Sequence, residues 1–91
     1  MKITGKELRA IVNKLIREED VFEIRNDYYW NIPSEDLYAM EKDPKEFTVG
    51  QLSDDWEELK EMFAREDSPI LFHDLEHLSP IIRAIAIEDR E

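Results

Sequence analysis

Leu71, Leu75, Leu78, Ile82 and Ile85 recur at intervals of four, three, four and three residues, and they hold that phase straight across Ser79 and Pro80. Only a helix gathers such positions on one face, so most of the last third of the chain must be helical. Ser68 followed by Pro69 predicts where this helix starts, because proline at the first helical position gives up an N–H that has no partner there. Pro80 removes one internal backbone bond, and the unbroken phase predicts a single helix kinked near it rather than two helices.

The same periodicity marks two more helices. Thr4 and Glu7 form a capping box, followed by Leu8, Ile11, Val12, Leu15 and Ile16 as one apolar stripe, which predicts a helix from residue 5 to about 18. Thr48 and Gln51 form a second capping box, followed by Leu52, Trp56, Leu59 and Phe63 as the inward stripe of a third-quarter helix. Between them the period changes. Val21-Phe22-Glu23-Ile24 and Tyr28-Tyr29-Trp30-Asn31-Ile32 roughly alternate around Arg25-Asn26-Asp27, which predicts a hairpin with Phe22, Ile24, Tyr28, Trp30 and Ile32 on one face. A lone hairpin is marginal in water, so that face must pack on helices. Pro33 ends the second strand, Ser34 caps a short helix to about Met40, and 41–46, with Asp43-Pro44 inside, read as a loop. The expected fold is mainly α (α+β): three to four helices around one core, with a small antiparallel hairpin after the first helix, all in one domain over 1–91.

At 91 residues the chain encloses one core and buries about 60–65% of its unfolded surface, so its stability is modest. It has no cysteine, which excludes disulfide staples and thiolate zinc sites and suits a cytoplasmic location. No apolar run approaches a membrane span, and no export signal stands at the N-terminus. The net charge of −11 is unevenly placed: residues 1–33 hold six bases and six acids, while the other 58 hold 17 acids against six bases. That field repels phosphate backbones and anionic lipid and attracts basic surfaces, so neither direct nucleic-acid nor membrane binding is expected.

Candidate chemistry is sparse. His73-Asp74-Leu75-Glu76-His77 fits the H-x-x-E-H pattern of inverted zinc metallopeptidases. Those enzymes take a third ligand from well downstream, whereas 14 residues follow His77, and a helix that turns Leu71, Leu75, Leu78 and Ile82 inward sends both histidines to solvent. Two-carboxylate logic carries no information among 23 acids. There is no nucleophile motif and no glycine-rich phosphate loop. The sequence therefore assigns no catalytic residue, metal or cofactor, and an enzyme is not expected.

What folding explains least is the acidic face of the third-quarter helix, Asp54, Asp55, Glu57, Glu58 and Glu61, where like charges at i, i+3 and i+4 repel. Alternation puts Tyr29 outward and Trp30 in the core, and Tyr38 on the short helix extends the outward aromatic surface. These seven residues, Tyr29, Tyr38 and the five acids, are the candidate partner-binding set. The expected function is a non-enzymatic protein-binding module whose acidic surface engages a basic protein, in the manner of immunity proteins, antitoxins or DNA mimics. A structural or homo-oligomeric protein, with a homodimer built on the exposed aromatic residues, is the alternative.

Overall fold

In a computed structural model that describes residues 1–40 and 47–90, Thr4 opens the first helix. Its hydroxyl accepts the Glu7 N–H at 3.1 Å and donates to Glu7 Oε1 at 2.9 Å, and α1 (Gly5–Leu15) follows. The helix is shorter than its apolar stripe, because Ile16 turns to extended backbone and the Asp20 carboxylate takes the Arg17 N–H at 2.9 Å. The predicted loop over 41–46 lies outside the described residues, as does the side chain of the predicted cap Ser34.

The architecture is mainly α with a small antiparallel sheet, as expected, but the second strand comes from elsewhere. β1 (Tyr28–Asn31) pairs with β2 (Thr48–Gln51), in the register Tyr28 with Gln51, Tyr29 with Gly50, Trp30 with Val49 and Asn31 with Thr48. Residues 21–24, the predicted first strand, form no strand. The predicted cap box of the third-quarter helix is spent on this pairing. The short helix α2 (Ser34–Leu37) is one turn, shorter than the run to Met40 that was expected.

Helix α3 (Leu52–Ala64) leaves β2 directly, and Gln51 provides no side-chain cap. The cap comes from Asp27 instead. Its carboxylate accepts the Ser53 N–H and the Ser53 hydroxyl, both at 2.7 Å, while its carbonyl accepts the Leu52 N–H at 2.7 Å. An acceptor at a helix N-terminus satisfies free N–H groups and favours negative charge. The Ser53 hydrogen bonds, with one to Gln51, hold the Asp27 carboxyl below its ordinary range.

Helix α4 (Leu71–Arg90) runs unbroken through Pro80, as the phase predicts. It begins two residues after Pro69. Asp74 closes its start by accepting the Ile70 N–H at 2.9 Å, so Ser68-Pro69 is not its cap. Beside the proline, Ser79 donates to the Leu75 carbonyl at 2.9 Å, a back-bond that bends helices. Arg25 grips the far end of α4. Its backbone N–H and guanidinium reach Glu88 at 2.8–3.2 Å, which lowers the Glu88 carboxyl and fastens the 21–27 segment to α4.

The core is small, and both long helices are rotated from their expected settings. Leu52, Leu59 and Ile81 are buried, flanked by Ile24, Tyr29, Met62, Leu78, Ala84 and Ile85. On α3, Asp55 rather than Trp56 faces inward: Asp55 is 7% exposed, whereas Trp56 is 50% and Phe63 88%. On α4, Asp74 and Ile81 are buried, Leu78 and Ile85 of the expected stripe are half-buried beside them, and Leu71, Leu75 and Ile82 of that stripe are exposed. The strand is likewise turned over. Tyr29, predicted outward, packs on the core, and Trp30, predicted inward, is 74% exposed.

Gly50 makes that strand setting possible. The Tyr29 ring lies across it, so that a Cβ at Gly50 would overlap the ring atoms. Gly50→Ala is therefore expected to cost about 1–3 kcal/mol, the range for overpacking a filled site. Urea unfolding measures this, and an unchanged midpoint would mean that the ring lies elsewhere. Among the described residues no helix is long and apolar enough to cross a membrane.

Candidate functional site

Three elements meet at Asp55. α3 turns its carboxylate inward, β1 brings Tyr29 over Gly50, and α4 brings His77 from the other side. The Tyr29 hydroxyl donates to Asp55 Oδ2 at 2.6 Å, and His77 Nδ1 lies 2.8 Å from Asp55 Oδ1. A carboxylate only accepts, so His77 Nδ1 carries the proton in this hydrogen bond. Burial, with the bond to Asp55 next, raises the Tyr29 hydroxyl above its ordinary value and keeps it a donor.

One turn away the pattern recurs more loosely. Asp74, also 7% exposed, sits 3.4 Å from His73 Nδ1 and 3.9 Å from the Arg65 guanidinium. His73 and His77 stack edge to face with centroids 4.7 Å apart. Glu58, one turn along α3 from Asp55, faces them, and one ligand atom from each of Glu58, His73 and His77 lies within 4.8 Å of the others.

Of the seven sequence-predicted residues, Asp54, Glu57, Glu58 and Glu61 do share the solvent side of α3, where Glu57 pairs with Lys60 at 2.8 Å. Asp55 does not join them. It and Tyr29 bind each other inside the domain, so neither offers its polar atom to a partner. Tyr38 is exposed, far in sequence from the acids, on the wall of an apolar groove. The histidine setting also departs from expectation, for His77 is half-buried between the helices. The missed signal was a second α4 phase, Asp74, His77, Leu78 and Ile81, in which polar and apolar inward positions mix.

The groove, of about 750 Å³, runs between β1–α2 and α4. Tyr28, Trp30 and Tyr38 stand on one side and Phe72, Leu75 and Ile87 on the other, all exposed. A second apolar surface is α1, which buries none of its residues and leaves Leu8, Ile11, Val12 and Leu15 in water. No protein-family model, curated protein or solved structure matches this chain.

Proposed function

We propose that this chain is a non-enzymatic protein-binding module whose acidic body takes a basic amphipathic helix into its apolar groove, and that the helix is α1 of a second copy. The observation that carries this reading is surface area. The chain exposes 8544 Å². A compact monomer of 10.9 kDa exposes roughly 5,600 Å². The excess is about 3,000 Å² per chain, more than either partner contributes to a large obligate interface. The radius of gyration agrees, at 14.8 Å against about 12 Å for a compact domain of this length.

The two uncovered surfaces suit each other. Leu8, Ile11, Val12 and Leu15 stand at i, i+3, i+4 and i+7, the spacing with which a helix anchors in a groove. Residues 1–17 carry five bases against one acid, a net of +4, which leaves −15 on the rest of the chain. Opposite net charges steer the approach, and apolar burial holds it. Reciprocal exchange of α1 between two copies closes the assembly with two-fold symmetry. The acids Asp54, Glu57, Glu58 and Glu61 support a second reading, in which the basic helix belongs to another protein.

Sedimentation velocity over a concentration series tests this. The wild-type chain is expected to dimerise, and Ile11→Asp is expected to be monomeric at the same concentrations, because a charge replaces a central anchor that the monomer itself does not bury. A wild-type chain still monomeric at about 100 μM, where even a −5.5 kcal/mol association would register, would overturn self-association and leave the groove to a foreign helix. A dimer indifferent to Ile11→Asp would mean that α1 is not the anchor.

A further inference from the structure

We infer that Glu58, His73 and His77 form a zinc site that bridges α3 and α4. The donor set is two imidazoles and a carboxylate, the combination found on zinc sites that keep one position open. Its spacing is close to ready. Zinc at 2.0–2.1 Å from each ligand needs those atoms about 3.4 Å apart. Here they lie within 4.8 Å, and the exposed Glu58 and His73 side chains close the difference by rotating.

The surroundings of the histidines set this cluster apart from an incidental surface pair. A metal-binding histidine commonly gives its other ring N–H to a carboxylate, which holds the tautomer and orients the ring. Asp55 does this for His77 at 2.8 Å, and the Tyr29 hydroxyl at 2.6 Å braces Asp55 in turn. Asp74 stands behind His73 in the same sense, at 3.4 Å. Both carboxylates are buried; Asp74 also closes the start of α4 and lies 3.9 Å from the Arg65 guanidinium, whereas Asp55 is met by Tyr29 and His77, and a dication on the imidazole side would offset its charge. The sequence pattern H-x-x-E-H supplied two of the ligands, and the third arrives from α3, upstream, rather than from downstream.

The site lies wholly within one chain, so it stands whether or not the chain pairs. Two imidazoles favour zinc over magnesium or calcium, which prefer all-oxygen sites. The metal would fasten α3 to α4, which share the core, and its fourth position would hold water or an incoming ligand.

The test is isothermal titration of the full chain with zinc chloride after chelator treatment, with millimolar magnesium present throughout. One zinc per chain, bound at micromolar or tighter affinity and raising the thermal midpoint, is the expected result. His73→Ala and Glu58→Gln change exposed side chains and should fold normally, which circular dichroism checks; each is expected to weaken zinc at least tenfold. Asp55→Asn keeps all three ligands and is expected to weaken zinc roughly 10- to 100-fold, the usual loss when the carboxylate behind a ligand is altered. No saturable binding would overturn the inference. So would displacement by magnesium, or full affinity in folded His73→Ala, either of which would assign the metal to scattered surface acids.

Discussion

Asp55→Ala is expected to lower folding stability by about 3 kcal/mol, the largest effect of any acidic substitution in the chain. The reason is what Asp55 leaves behind. Its two oxygens accept separately from Tyr29 and His77, at 2.6 and 2.8 Å, from opposite elements. Hydrogen bonds to a charged group contribute about 1.5–3 kcal/mol each, and removing one member of a buried set strands the others without solvent to replace it. The desolvation cost of the carboxylate itself, relieved by the substitution, offsets part of that loss. Asp54→Ala, one residue away and exposed, is expected to change stability by no more than about 0.5 kcal/mol. Urea unfolding of the two variants at one protein concentration reads the difference directly. Equal midpoints would put Asp55 back on the solvated face, where periodicity alone would set it.

That contrast shows how far the sequence reaches. Helix periodicity located α1, α3 and α4, and the continuity of α4 through Pro80, because backbone propensity and apolar spacing are local properties. Facing was not legible in the same way. The apolar stripe Leu52, Trp56, Leu59 and Phe63 and the mixed stripe Leu52, Asp55, Leu59 and Met62 differ by a small rotation, and hydrophobicity alone selects the first. Tertiary partners select the second, since Tyr29 and His77 satisfy Asp55 and make it an inward residue. Strand pairing escaped for a related reason. Thr48-Val49-Gly50-Gln51 reads as a helix cap, and only the Tyr29 ring above Gly50 shows why it is a strand. The exposure of Asp54, Glu57, Glu58, Glu61 and Tyr38 was legible, but the facing of Asp55 and Tyr29 was not. Two of the seven candidate residues, Asp55 and Tyr29, sit otherwise than alternation and wheel geometry arrange them, and the exposed α1 stripe was not among the seven.

The rotation of α3 leads to the second large effect. Leu59→Ala is expected to cost about 2–5 kcal/mol, because Leu59 is 8% exposed in a core of few residues and truncation leaves a cavity between α3 and α4. Phe63→Ala, four residues on, is expected to stay within about 0.5 kcal/mol, since that ring is already in water and no cavity forms. Trp56→Ala falls between them, near 1 kcal/mol, for the half of the indole that is covered. A helix facing inward along Trp56 and Phe63 would reverse the order and make Trp56→Ala the costliest of the three. The comparison also separates folding from assembly. Folding stability is measured in the Ile11→Asp background, where the chain is expected to be monomeric, and there Phe63→Ala should remain silent. If Phe63→Ala proved costly only in the wild-type background, where copies are expected to pair, the exposed face of α3 would belong to the interface as well.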